Sequence, residues 1–433
     1  ESELWSVDIA SGEMAQLTDR DGPDFAPTIS PDGSKIAYLG FDDQKMGNHS
    51  SQVYIMDRRS GDIRMLAGDL DREIDSVQWA GSSSRLYIAY DDFGDKVISS
   101  LTVEGKIDVV TRDVSGVSIG RPYSSGSFST ANNGAFAYTV GRSDRPADVG
   151  TGRGKQKTRR LTDLNADALD HKSVGESEEI RWKSSADDLE IQGWIVKPPG
   201  FDPEKKYPMI LEIHGGPFAT YGPHFSTEVQ LYAAAGYVVF YTNPRGSTSY
   251  GADFANEIHH NYPGQDYDDL MSGVDAVIAR GYIDDKNLFV TGGSGGGVLS
   301  AWIVGKTDRF AAAVVAKPVI NWASWALTAD MSTFGTQYWF ADMPWENPEA
   351  YWARSPLSLV GNVTTPTALL TGEQDHRTPI TESEQYYQAL KLRKIDSALI
   401  RVPEASHGIA GRPSHLIAKV DNILAWFARY RNE

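Results

Sequence analysis

Along roughly the first 170 residues, apolar positions come in short bursts between polar turns rather than in long runs. Three segments share a turn followed by a short, aromatic-rich strand: SPDGSKIAY ending at Tyr38, AGSSSRLYIAY ending at Tyr90 and TANNGAFAY ending at Tyr138, about 50 residues apart. Between them recurs a strand, a Gly-containing turn and a second strand: LWSVDIASGEMAQLTD from Leu4, VYIMDRRSGDIRMLAGD from Val53 and SSLTVEGKIDVVTRD from Ser99. Ser60-Gly61 falls about one period after Ser11-Gly12. Each unit therefore reads as four short antiparallel strands, the size and content of a β-propeller blade, with an ordinary β-sandwich as the alternative. The span from Glu1 to about Asp170 has room for three complete blades and the outer half of another, whereas a ring usually needs at least four. The expectation is an incomplete propeller portion over 1–175, lacking its N-terminal part, in a chain that is a fragment of a longer polypeptide or one part of a cut one.

From about Ile180 the texture changes to alternating strands and helices. Apolar runs at Met209–Ile213, Tyr237–Tyr241, Leu288–Val290, Ala312–Val315, Thr367–Leu370 and Ala398–Val402 are mostly too continuously apolar for a half-exposed sheet. Such runs suit a parallel sheet covered on both faces. Among the intervening helices, TESEQYYQALKLR opens with a capping-box pattern, Thr381 to Glu384, and Leu416, Val420, Ile423, Leu424 and Phe427 mark one face of the last. The architecture is α/β over 176–433, with the boundary in the polar stretch 141–180.

Composition narrows the function. A chain of 433 residues, 40% hydrophobic, has room for two cores, and a net charge of -17 without a basic block disfavours nucleic acid and anionic membranes. The absence of cysteine excludes disulfides, thiolate metal sites and a cysteine nucleophile, without fixing the compartment. The cytoplasm is favoured over the periplasm. No apolar run reaches the length that spans a bilayer, and the polar start ESELWSVDIASGE does not resemble a signal peptide.

The stretch FVTGGSGGGV at 289–298 leaves an apolar run and enters another. A dinucleotide fingerprint starting at Gly293 fails because its sixth position is Val298, and no Walker lysine is present. Gly292-Gly293-Ser294-Gly295-Gly296 instead matches Gly-x-Ser-x-Gly, in which a sharp strand-to-helix turn needs small neighbours. A serine hydroxyl needs a base, and the partners follow in order: Asp375 after strand Thr367–Leu370 and His407 after strand Ala398–Val402, the Ser, Asp, His order of α/β-hydrolases. The catalytic candidates are thus Ser294, Asp375 and His407. For the oxyanion hole, the N–H of Gly295 is the first donor, and HGGP at 214–217 supplies the second, Gly216 ahead of Gly215. His376 reads as structural and His259-His260 as solvated surface; no metal and no cofactor are expected.

These residues resemble the prolyl oligopeptidase family of serine peptidases, most of all its acylaminoacyl-peptidase and dipeptidyl-peptidase-like bacterial members. The matching pieces are HGGPF at 214–218, NPRGSTSYG at 243–251, DLMSGVDAVIARGYID at 269–284, GGSGGG at 292–297, KTDRFAAAV at 306–314, WENPEAYWARSPL at 345–357, DHRTP at 375–379 and SHG at 406–408. The resemblance implies an α/β-hydrolase domain carrying an N-terminal propeller that restricts entry to short peptides. It also implies that Arg377 binds a substrate carbonyl on the acyl side, a task its fork of donors suits. Two departures stand out. Gly295 replaces the tyrosine or asparagine that many relatives have after the nucleophile, leaving that space empty and pointing to a wider pocket or a looser loop. His214 stands where some branches place an oxyanion-binding tyrosine.

The reading is a serine peptidase acting on short peptides through an acyl-enzyme on Ser294, of acylaminoacyl-peptidase or related oligopeptidase type. An esterase or amidase using the same triad is the first alternative, and an inactive propeller binding protein the second. Phe218 is the candidate substrate-contacting aromatic, with Trp322, Trp325, Phe334, Tyr338 and Trp339 as further pocket candidates. Short peptides are the expected partners; a second chain completing the propeller and a homo-oligomer are left open.

Overall fold

Asp8 and Asp57 stand one repeat apart and do the same work. In each case the carboxylate accepts two N–H groups of the following turn, Ala10 and Ser11 at 3.0 and 2.8 Å, Arg59 and Ser60 at 2.9 and 3.1 Å. The turn then closes on a glycine in the left-handed region, Gly12 at φ 74° and Gly61 at φ 79°, where a Cβ would be strained. The computed structural model describes residues 2–116, 120–154 and 156–432. It divides into two units: 1–118, 124–171 and 248–255 in the first, 119–123, 172–247 and 256–433 in the second. The division is therefore not a single cut, because two short segments group with the unit other than that of their sequence neighbours.

The first unit is built from antiparallel strands in sequential order. Trp5–Val7 pairs with Met14–Gln16. Asp24–Ile29, Lys35–Gly40, Gln52–Asp57 and Ile63–Leu66 then form one four-stranded sheet. Ile74–Ser82, Arg85–Asp92, Asp95–Thr102 and Ile107–Val114 form the next. Phe128–Thr130, Ala135–Arg142, Arg145–Arg153 and Arg159–Arg160 complete the last, joined to its predecessor through Val114 opposite Val140. Apart from that one link, each strand of this unit among the described residues pairs with a chain neighbour, as in propeller blades. Successive blades pack face to face: Leu39, Val53 and Ile55 share a core with Trp79, Leu86 and Ile88. Tyr87, Ala89 and Ile98 share another with Phe128, Phe136 and Tyr138.

In the second unit eight strands form one sheet, in the order Glu176–Lys183, Glu190–Lys197, Val238–Asn243, Tyr207–Ile213, Ile283–Gly293, Ala312–Ala316, Thr367–Gly372, Ser397–Val402. The first two are antiparallel and the remaining six run parallel. Helices on the faces explain why the parallel strands are apolar throughout, Val238–Asn243 and Ala312–Ala316 being buried at every position. All six runs expected from the sequence lie in this sheet. The antiparallel pair was not anticipated, although Glu176–Lys183 alternates, burying Ile180 and Trp182.

One helix starts differently from expectation. Thr381 and Glu384 do not form a capping box: helix Ile380–Leu392 begins after Pro379, without a side-chain cap. Glu382 turns inward and accepts the N–H groups of Ile320 and Asn321, each at 2.9 Å, fixing the chain just beyond strand Ala312–Ala316.

The turn after strand Val238–Asn243 is held by Arg245, only 2% exposed. Its Nε and Nη2 donate to Asp269 at 3.0 and 2.9 Å, and its Nη1 and Nη2 to Asp187, both at 2.9 Å. Asp269 is fully buried, so loss of the guanidinium leaves a desolvated carboxylate without its cation. Arg245→Ala is expected to cost about 3–5 kcal/mol, read from the midpoint of urea unfolding.

Candidate active site

Strand Ile283–Gly293 ends between Tyr207–Ile213 and Ala312–Ala316, and the chain turns at once into helix Gly295–Lys306. Ser294 is the turn, at φ 61° and ψ −120°. That conformation costs a serine on the order of 1–3 kcal/mol and persists only where the surroundings enforce it. They do so from three sides. The Ser294 N–H lies 3.1 Å from the carbonyls of both Ala316 and Lys317, and its carbonyl accepts from Val298 at 2.9 Å. Gly292 and Gly296 let the backbones close: a Cβ at 292 would meet the Gly296 carbonyl oxygen at 2.5 Å, and one at 296 would collide with that of Ile213. The side chain stays half-buried at the carboxyl end of the sheet, where α/β folds place their chemistry.

Asp375 and His407 emerge from the ends of Thr367–Gly372 and Ser397–Val402. His407 Nδ1 lies 2.8 Å from Asp375 Oδ2 and 3.0 Å from Oδ1. Asp375 also accepts from the N–H groups of Arg377 and Thr378, at 3.0 and 2.9 Å. Burial alone would raise its pKa; the hydrogen bond and charge of His407, with Thr378, outweigh it and hold the carboxyl below the usual range. Burial lowers His407, and the nearby Lys317 adds to this, with Asp375 opposing. The imidazole is therefore neutral at neutral pH and able to take a proton. Thr378 Oγ1 lies 3.0 Å from the Lys317 carbonyl, 3.1 Å from Asp375 Oδ2 and 3.3 Å from His407 Nδ1.

The turn His214–Pro217 follows strand Tyr207–Ile213. Gly215 N–H donates to Tyr123 Oη at 2.7 Å, while the N of Gly216 lies 3.1 Å from the point where a Cβ of Gly295 would stand. The space beside Gly295 is not empty, contrary to expectation. Tyr262 Oη donates to the Gly295 carbonyl at 2.8 Å and would be 3.0 Å from that same Cβ, so a half-buried phenol fills the region. His214 is buried, its ring nitrogens 2.8 Å from the Gly215 carbonyl and 2.9 Å from Ser247 Oγ. Burial pushes its pKa down to about 4, so it braces the turn as a neutral ring.

Beneath this turn lies a buried ionic group. Arg121 Nε is 3.2 Å from Glu212 and 3.4 Å from Glu228, and Lys419 Nζ donates to Glu228 at 2.6 Å. Arg121, Tyr123, Tyr262, Lys317 and Thr378 escaped the sequence reading because none lies in a recognisable motif role. Thr378 alone carried a signal, standing three residues after Asp375.

The other candidates are placed as follows. Arg377 donates from Nε to Asp330 at 2.6 Å, both side chains being nearly half-exposed. Phe218 is half-buried, its ring 6.2 Å from that of Trp339. Trp322 and Trp325 are core residues, 2% and 1% exposed. His376 is exposed, and His259 and His260 stack at 3.8 Å, half-buried rather than fully solvated. Among the described residues no group of three or more His, Cys, Asp or Glu could hold a metal ion.

Two outcomes follow from this geometry. The rate of acyl transfer from an activated ester should fall as pH drops through the His407 pKa, with the acid limb below the ordinary imidazole value, and Asp375→Asn should lower the rate by about 10⁴. Gly296→Ala forces the elbow apart, so a rate loss on the order of 100-fold is expected in the same assay.

Residues 223–433 match the model of the prolyl oligopeptidase family. The uncharacterized peptidase YuxL of Bacillus subtilis is 35% identical over 381 residues, covering 87% of this chain and 56% of that one. Dipeptidyl-peptidase 5 of Schizosaccharomyces pombe is 25% identical, over 99% of this chain and 62% of the relative. The chain thus spans somewhat over half the length of these curated relatives. Among solved structures, acylaminoacyl peptidase of Pyrococcus horikoshii superposes with a TM-score of 0.84 at 25% identity, over 98% of this chain and 66% of that one. The family match over residues 223–433, which hold the serine on its strand-to-helix elbow together with Asp375 and His407, places this α/β-hydrolase part of the chain in the prolyl oligopeptidase family.

Proposed function

We propose that the chain is a serine-type peptidase that hydrolyses short peptides through an acyl-enzyme on Ser294. The observation that carries this reading is the hydrogen bond of His407 to Asp375, at the same end of the sheet as the left-handed Ser294. His407 takes the hydroxyl proton of Ser294 as its oxygen adds to the scissile carbonyl, and returns that proton to the leaving amine. Asp375, buried and short of protons, holds the imidazole orientation and stabilises the imidazolium that forms. The N–H groups of Gly295 and Gly216 receive the developing oxyanion. Water then repeats the cycle on the acyl-enzyme, with His407 again as base.

Arg377 is the residue for a substrate carbonyl on the acyl side, its guanidinium plane oriented by Asp330. Phe218, beside Trp339, offers apolar surface to the residue before the cut. Similarity to the Pyrococcus horikoshii enzyme favours release of an N-terminal acylated residue; similarity to dipeptidyl-peptidase 5 favours release of dipeptides. The first is the preferred reading, because the His-Gly-Gly-Pro turn uses backbone donors where other branches use a tyrosine. An esterase or amidase with the same triad is the alternative.

Mass spectrometry of a peptide mixture holding free and N-acetylated forms of each sequence separates these readings. Ser294-dependent loss of acetylated N-terminal residues is expected. Dipeptide release or internal cuts would reassign the peptidase type, and hydrolysis of esters alone would overturn the peptidase reading.

A further inference from the structure

The residue just beyond strand Ala312–Ala316 reaches the backbone of Ser294 and of His407 and the strand that leads to Asp375, and it is a lysine. Lys317 donates its N–H to Leu370 on the aspartate strand at 2.7 Å. Its carbonyl lies 3.1 Å from the Ser294 N–H and 3.0 Å from Thr378 Oγ1. Its side chain donates from Nζ to the backbone carbonyl of His407 at 2.7 Å. The Lys317 backbone lies at φ 41°, in the left-handed region and directly before Pro318, an unusual place for a side chain that must be paid for by its contacts.

His407 sits in a loop between strand Ser397–Val402 and helix Pro413–Arg429, outside any regular element. A base so placed has its position set by the side chains that reach its backbone. We propose that Lys317 is a positioning residue of this active site, its ammonium clamping the His407 loop to the strand end that holds the nucleophile and the aspartate. The inference rests on the catalytic reading of Ser294, Asp375 and His407, and goes beyond it in giving the base loop a tether from the neighbouring strand.

The electrostatics follow the same geometry. Lys317 is faced by Arg121 and, from helix Pro413–Arg429, by Lys419, both cationic, and by Asp375 and Glu228, both acidic. Burial first and the two cations next push its pKa down to about 7. His407 is faced by Asp375, which raises its pKa, and by Lys317 and Arg377, which lower it. Removing the Lys317 charge therefore raises the His407 pKa and moves the acid limb of the rate profile to higher pH. A residue that only filled space would leave that limb in place.

The test compares the wild-type chain with Lys317→Met, which keeps the aliphatic stem without the donor, and Lys317→Arg, which keeps donor and charge. The readout is the rate at which a fluorophosphonate labels Ser294, followed across pH, with thermal melting to show that each variant is folded. This readout does not depend on peptide specificity. Labelling of Lys317→Met is expected to slow on the order of 10- to 100-fold, with its acid limb displaced upward, and Lys317→Arg to recover most of the rate. For any hydrolysed substrate the loss should fall on kcat rather than KM. A folded Lys317→Met that labels at the wild-type rate with an unshifted profile would overturn the proposal. If Lys317→Met does not fold, Lys317→Gln takes its place under the same criteria. A wild-type chain that labels at Ser294 but cleaves no peptide would sink the peptidase reading alone; one that does not label would sink both.

Discussion

A serine can be held in a left-handed turn only where the backbone around it leaves no room to relax, and the second unit is organised around that constraint. Three parallel strands, Tyr207–Ile213, Ile283–Gly293 and Ala312–Ala316, end together, and helix Gly295–Lys306 starts in the gap between them. Carbonyls of Ala316 and Lys317 take the serine N–H, and the absence of side chains at 292 and 296 brings the helix start against the Ile213 carbonyl. Strain at one residue is thereby distributed over a sheet whose central strands are buried on both faces, the environment best able to sustain it. The reward is a hydroxyl raised out of the sheet where a substrate carbonyl can approach.

Charge is handled by the same economy of position. Buried carboxylates at 212, 228, 269 and 375 each have a cation or an imidazole beside them, so none is left desolvated and alone. Around the base the balance is deliberate: Asp375 is kept ionised by its hydrogen bonds, while burial and the Lys317 charge keep His407 neutral. A neutral imidazole beside an ionised carboxylate is the resting state that general-base catalysis requires. His214, driven to neutrality chiefly by burial with the Arg121 charge adding to it, serves instead as a brace for the turn that carries Gly215 and Gly216.

What the sequence revealed divides by the range of the interaction. Ser294, Asp375 and His407 were legible because chain order and strand ends constrain them, and the propeller blades because Asp8 and Asp57 repeat a local turn. The parallel strands showed as apolar runs because both faces are covered. Lys317, Tyr262 and Tyr123 were not legible: their roles depend on which strand end or loop they meet in space, and nothing in a lysine before a proline or a tyrosine before another marks that. Lys419 illustrates the limit well, a charged residue on the buried face of helix Pro413–Arg429 whose partner, Glu228, is 191 positions away. The capping box at Thr381 failed for the opposite reason, a local signal overruled when Glu382 found backbone N–H groups in the neighbouring loop.

The proposed chemistry requires that Ser294 is the residue acylated, with His407 as its base. Peptide mapping after reaction with an organophosphonate inhibitor tests this most directly. One modified peptide is expected, carrying the adduct on Ser294, and it should be lost when His407 is replaced by alanine. An adduct on another residue, or one on Ser294 that forms equally well without His407, would contradict it.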